Sequence, residues 1–123
     1  MTWTVSFDES LRVVVLTYSG VNTGEDIKEA AAARIALGRE KGVNKFLIDT
    51  REVVTDESAT SDIFELPDKV YPAERNQRES RIAILEPESP RSSEMVRFFE
   101  SVCVNRGWQV KVFQDLESAI RWL

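Results

Sequence analysis

The sequence predicts an α/β fold: a five-stranded mixed sheet with four helices, in the order ββαβαβαβα. Short apolar or alternating runs recur along the chain, and segments with helical periodicity separate all but the first two of them. Right-handed crossovers then make the last four strands parallel and leave the first strand antiparallel at the edge. No Pro/Gly/Ser-rich linker divides the 123 residues, so we expect one domain over residues 1–123.

A hairpin opens the chain. Apolar and polar side chains alternate over residues 3–7, which is typical of a half-buried strand. The next strand, residues 11–19, contains four apolar residues in succession, Val13 to Leu16, and is therefore expected in the interior of the sheet. Asp8, Glu9 and Ser10 supply the turn.

The first helix has clear end signals and one unusual residue. Thr23 and Asp26 form a capping-box pair at its start, and Gly42 ends it. Arg34 lies in the middle of the apolar face, on which Ile27, Ala30, Ala31, Leu37 and Gly38 also fall. Two interpretations are open: its stem packs inside while its charge reaches solvent or a carboxylate, or it is a buried cation that lines a pocket with Asp49.

The central strand is predicted within residues 43–52, where Phe46, Leu47 and Ile48 form an unbroken apolar run. Asp49 and Arg51 follow this run, where a polar loop is predicted over residues 50–57. Ligands and partners of open α/β sheets usually meet the carboxyl ends of such strands. We therefore expect the functional site here.

A second helix is predicted from Ser58 to about Tyr71, with Pro67 breaking or kinking it. Phe64 and Tyr71 lie seven residues apart and share a second stripe beside the main apolar one. Two interpretations stay open for this pair: a broad buried face, or a partly exposed aromatic patch for self-association or a partner.

The remaining elements are a buried strand, a helix, an alternating strand and a closing helix. They are predicted at residues 81–85, from Pro90 to a stop at residues 105–107, at residues 108–113, and from the cap at Asp115 onward. Cys103 falls at the edge of the apolar stripe of its helix and is interpreted as a small buried hydrophobe.

Composition excludes several classes of function. The chain has no histidine and one cysteine, so we expect neither a zinc site, nor Ser-His-Asp or Cys-His catalysis, nor a disulfide framework. A net charge of -5 with scattered basic residues argues against a nucleic-acid or anionic-membrane partner. No leader or membrane-spanning run is visible, which predicts a cytoplasmic protein, and no motif indicates a cofactor.

Four segments carry a resemblance to a known family: YSG before the first helix, FLIDTR, RIAIL and FFESVCVNRGWQVKVFQDLESAIRWL. Together with the order of elements, they resemble the SpoIIAA-like superfamily, the STAS-type domains. The carboxyl-terminal segment is similar to a branch of small stand-alone bacterial proteins of no assigned function.

The resemblance implies a partner-binding switch and not an enzyme. In anti-sigma factor antagonists of this type, a kinase that is also the partner phosphorylates a serine at the start of the helix after the central strand. By position that serine is Ser58, preceded by Asp49 and Arg51. The D-S-S-G-type signature is replaced here by the acidic DTREVVTDESAT, and simple helix capping also accounts for Ser58.

Three functional hypotheses follow. The leading one is a non-enzymatic regulatory or protein-binding module with a protein partner or a second copy of itself, a homodimer. The second is a binding protein for a small anionic or apolar ligand, with Arg34, Asp49 and Arg51 lining the pocket. The third, an enzyme that uses carboxylates such as Asp49 and Glu52, requires a perturbed acid in a cleft.

Overall fold

A computed structural model of the chain describes residues 2–123. Its five strands form one sheet in sequence order. The first pair is antiparallel and each later pair is parallel, which confirms the predicted fold class. The strands are β1 Trp3–Asp8, β2 Val13–Asn22, β3 Lys45–Asp56, β4 Arg81–Leu85 and β5 Gln109–Phe113.

The helical segments connect and cover these strands. They are α1 Gly24–Lys41, α2 Thr60–Glu65, a π-helical turn Leu66–Val70, α3 Tyr71–Ala73, α4 Pro90–Asn105 and α5 Leu116–Trp122. The predicted caps of α1 are confirmed: Thr23 and Asp26 exchange hydrogen bonds at its start, and Gly42 ends it with a φ of 66°.

Helices pack on both faces of the sheet, but they bury a larger core on one face than on the other. Because consecutive parallel strands are neighbours, their right-handed crossovers all fall on one face, so α1, α2 and α4 pack together there. The larger core lies between these helices and the sheet. On the opposite face, Ala119 and its neighbours in α5 cover only a small cluster that includes Leu47 and Ala83.

Strand β3 is longer than predicted, which corrects the polar loop expected over residues 50–57. It continues to Asp56 and pairs with β2 throughout, whereas β4 pairs with it only from Lys45 to Asp49. Residues 19–22 and 52–56, here called the β2–β3 extension, therefore project beyond the other strands. Two register shifts interrupt this pairing, and at each of them β3 contains one residue more than β2.

The helical segment 60–73 changes phase at Pro67. The Tyr71 amide donates to the Leu66 carbonyl, five residues back, and so encloses one more residue than an α-helical turn. Every later side chain is displaced by one position relative to the α-helical pattern. Tyr71 consequently occupies the inward position that an unbroken α-helix would give to Val70, and it is only 1% exposed.

Candidate functional site

A cavity of about 80 Å³ lies between the sheet and the helices of its larger core. Side chains from β2, β3 and β4 form one wall, and side chains from α1, the helical segment 60–73 and α4 form the other. Most of the lining is apolar, including Leu16, Ile27, Ala31, Ile48, Val53, Ile63, Leu66, Ile84, Met95, Val96 and Phe99. Its polar members are Tyr18, Asn22, Arg34, Thr50, Asp56, Tyr71 and Ser92.

The bulges of β3 shape this cavity. In a regular strand every second side chain shares a face, but the lining residues Ile48, Thr50, Val53 and Asp56 are separated by two, three and three positions. Each extra residue at a register shift turns the following side chains back toward the cavity. Two bulges thus let one strand line the cavity along almost its whole length.

The entrance lies at the carboxyl ends of the strands. Most side chains of the lining are buried, but five of them are partly exposed: Ile27, Val53, Asp56, Met95 and Val96. This is the edge of the sheet where ligands of open α/β proteins usually bind.

Arg34 lies at the inner end of the cavity, close to the beginning of β3. The central carbon of its guanidinium lies 4.5 Å from the ring centroid of Phe46 and 4.9 Å from that of Tyr71. Nη1 donates to Oδ1 of Asn76 at 3.1 Å. Arg34 is 0% exposed, so the interpretation in which its charge reaches solvent is wrong.

The other edge of this guanidinium is unsatisfied. Nε and Nη2 of Arg34 are buried without a hydrogen-bond partner among residues 2–123. None of the ion pairs within that part of the chain includes Arg34. A buried cation without an acceptor on two of its nitrogens is energetically costly.

Neutral hydroxyl and thiol groups surround this cation. Burial raises the pKa of Tyr18 and of Tyr71 above the ordinary tyrosine value, and the positive charge of Arg34 opposes the rise in both. Burial also raises the pKa of the Cys103 thiol to about 12. These groups are protonated at neutral pH, so neither tyrosine nor the cysteine supplies an anion to Arg34.

Asp49 and Arg51 do not line the cavity, which corrects the predicted three-residue pocket. Side chains alternate along a strand, and because Ile48 faces the cavity, Asp49 faces the opposite side of the sheet. There, Arg51 Nε and Nη2 donate to the two carboxylate oxygens of Asp49 at 3.0 and 2.9 Å. Burial alone would raise the pKa of Asp49, but the hydrogen bonds and charge of Arg51 outweigh it and hold that pKa below its usual value.

Ser58 lies between β3 and α2 and is not the cap of that helix. The helix begins at Thr60, and its first free amide, that of Ala59, donates to Asp62 at 2.8 Å. The Ser58 amide donates to Asp56 at 2.8 Å, while its Oγ is buried and makes no hydrogen bond within residues 2–123. The predicted phosphorylation at Ser58 stays a prediction.

Phe64 and Tyr71 do not form a shared patch, which corrects the predicted second stripe. The π-helical turn carries Tyr71 into the core, where its ring packs edge-on against Trp108 with centroids 5.3 Å apart. Phe64 stays half-buried and packs edge-on against Phe98, with centroids 5.6 Å apart. The aromatic contact of Phe64 is therefore with Phe98 and links α2 to α4, and Tyr71 takes no part in it.

Sequence reasoning missed two polar residues of the site. Asn76 lies outside every helix and strand predicted from the sequence, yet its side chain is buried and accepts from Arg34. Asn22, 3% exposed and in the cavity lining, donates to the Ser19 carbonyl at 3.3 Å, while its Oδ1 has no partner within the described residues. Neither asparagine belongs to a motif, and only the tertiary structure brings them to the cavity.

None of the helices in residues 2–123 combines the length and the apolar character that crossing a bilayer requires.

Comparisons with known proteins identify the fold. The sequence matches no protein-family model and no curated protein. The structure is similar to that of the anti-sigma factor antagonist SpoIIAA in its unphosphorylated form, with a TM-score of 0.57, 16% identity, and coverage of 98% of this chain and 96% of that one.

It is also similar to an uncharacterised protein of the DUF3478 family with a SpoIIAA-like fold from Shewanella loihica PV-4. There the TM-score is 0.58 and the identity 17%, over 98% of this chain and 91% of that one. Both likenesses extend over almost the whole of each chain. This protein therefore has the SpoIIAA-like, STAS-type fold that its sequence resembles.

Proposed function

We propose that this protein is a non-enzymatic binding module whose cavity accepts a small, mainly apolar ligand. The observation that carries the proposal is a cavity with apolar walls, a partly exposed entrance at the carboxyl ends of β2 to β4, and a buried cation at its inner end. Pockets of this composition, apolar with a few convergent polar groups, are typical of small-molecule sites.

The titratable groups support binding over catalysis. A general acid or base needs a pKa near the working pH, whereas burial raises the pKa values of Tyr18, Tyr71 and Cys103 above ordinary values that already exceed neutrality. Asp49, a candidate in the carboxylate-enzyme hypothesis, is held ionised in its pair with Arg51. The other candidate, Glu52, is exposed to solvent.

Val96→Trp is expected to weaken the binding of benzene, a neutral apolar probe, by about tenfold or more, because an indole at this position fills the entrance. The measurement is an NMR titration that follows the amides of the cavity lining. Val104→Trp is the matched control, since Val104 lies on the same helix and is 52% exposed. Equal binding by both variants, or shifts confined to residues outside the lining, contradicts the proposal.

A second candidate function is recognition of a protein partner through the β2–β3 extension. Val21 and Val54 in this extension are 44% and 69% exposed, and residues 52–56 have no β4 residue beside them. An exposed strand edge with apolar side chains is a suitable surface for strand addition by another chain. Ser58, the candidate for phosphorylation, follows this extension directly, and the similarity to an anti-sigma factor antagonist favours the same reading.

Native mass spectrometry of protein purified gently from its own cells tests this second function. We expect an added partner mass, or a second copy of the chain, that Val54→Lys removes without loss of folding, because a charge on the strand edge opposes pairing. The same spectra report phosphate on Ser58. If the original protein and the Val54→Lys variant are both recovered repeatedly as unmodified monomers, partner binding at this surface is contradicted.

A further inference from the structure

We infer that the cavity is selective for a short apolar monocarboxylate, whose carboxylate is bound by Nε and Nη2 of Arg34. This inference rests on the ligand-binding function proposed above and specifies the chemistry of the ligand. It begins with the geometry of the guanidinium, on which Nε and Nη2 form one two-pronged edge.

The same edge binds carboxylates elsewhere in this chain. Arg51 uses Nε and Nη2 to hold both oxygens of Asp49 at 3.0 and 2.9 Å. Arg97 uses them to hold both oxygens of Glu86 at 2.8 and 3.0 Å. In Arg34 these two nitrogens have no partner within residues 2–123, although this side chain is the most deeply buried of the three.

The protein itself does not supply the missing anion. Asp56 is the sole carboxylate among the lining residues, and it lies at the entrance, where it accepts from the Ser58 amide. No carboxylate oxygen of the described residues lies within 4.0 Å of the Arg34 nitrogens. A ligand anion would thus remove most of the cost of burying this charge, through two charge-assisted hydrogen bonds.

The surroundings restrict the anion to one charge and one plane. The guanidinium contacts the rings of Phe46 and Tyr71, and Nη1 donates to Asn76, so these three contacts restrict how the free edge can turn. A planar carboxylate matches that edge and neutralises the single charge of Arg34. A doubly charged phosphate would leave an uncompensated negative charge among apolar side chains, which is strongly unfavourable.

The volume limits the apolar part of the ligand. A cavity of about 80 Å³ has room for roughly five to eight atoms of the size of a water molecule, at about 10–15 Å³ for each atom. The walls between Arg34 and the entrance are aliphatic and aromatic, including Leu16, Ile48 and Phe99. Pentanoate has the required size, charge and apolar chain.

The test compares pentanoate with pentanamide, which has the same shape and no charge, in NMR titrations of the unmodified protein. We expect pentanoate to bind at least about tenfold more tightly, since charge-assisted hydrogen bonds are roughly twice as strong as neutral ones. We also expect it to shift the Arg34 Nε–H resonance. Arg34→Met is expected to abolish the preference for pentanoate. Arg81→Met, which removes an equal charge on an exposed residue whose guanidinium bonds the Trp122 carbonyl, is expected to retain it.

The outcomes separate this inference from the proposed function. Equal binding of pentanoate and pentanamide, or an unmoved Arg34 Nε–H signal at saturation, overturns the carboxylate assignment and leaves the ligand-binding function standing. Binding of benzene without binding of pentanoate has the same meaning. If benzene, pentanoate and pentanamide all leave the lining amides unshifted, both the function and the inference are wrong. The titrations of the unmodified protein decide the matter even where Arg34→Met does not fold.

Discussion

Asn76→Ala is expected to lower the free energy of unfolding by about 1.5–3 kcal/mol, the usual contribution of a hydrogen bond to a charged group. The Asn76 side chain accepts a hydrogen bond from Arg34 Nη1 at 3.1 Å, and Arg34 is fully buried. Removing it takes this hydrogen-bond acceptor away from a buried cation. Urea unfolding, followed by tryptophan fluorescence, measures the loss.

A double-mutant cycle attributes this loss to the charge. Arg34→Met keeps an apolar side chain in the core and removes the cation, so Asn76→Ala in that background leaves no buried charge unpaired. We expect its cost there to fall to about 0.5 kcal/mol or less, which gives a coupling energy of about 1–3 kcal/mol. An equal cost of Asn76→Ala in both backgrounds contradicts the view that this asparagine acts on the guanidinium.

Elements with local signals were predictable from the sequence, because their determinants lie within a few residues of one another. The Thr23 and Asp26 capping box, the Gly42 stop and the apolar run of β3 are of this kind. The fold class followed from their order, since crossover handedness leaves few ways to arrange five strands.

The site itself was only partly predictable. Arg34 was recognised because a cation in the middle of an apolar stripe is anomalous, yet its partner Asn76 lies 42 residues away in a connection without a pattern. The polar stretch after Asp49 indicated a loop, but paired bulges allow polar residues to continue a strand. This error placed Asp49 and Arg51 in the pocket, although strand alternation turns Asp49 to the other face.

Tyr71→Ala is expected to cost about 3–5 kcal/mol of unfolding free energy, as for other large aromatic side chains removed from a core. Tyr71 is 1% exposed, packs against Trp108 and has its ring centroid 4.9 Å from the Arg34 guanidinium carbon. Phe64→Ala is the matched comparison, since both residues were predicted on one stripe. We expect about 1–2 kcal/mol for it, because Phe64 is only half-buried and loses mainly its edge-on contact with Phe98.

The difference between these two variants tests the π-helical turn. In an unbroken α-helix, residues 64 and 71 lie on the same side, so alanine would have similar effects at both positions. The turn at Pro67 displaces Tyr71 by one position and thereby separates the two environments. Similar losses for Tyr71→Ala and Phe64→Ala in urea unfolding would show that the helix keeps its α-helical phase. A large loss of unfolding free energy for Tyr71→Ala alone means that the π-helical turn places the Tyr71 ring beside Arg34. The same turn then shapes the inner end of the cavity.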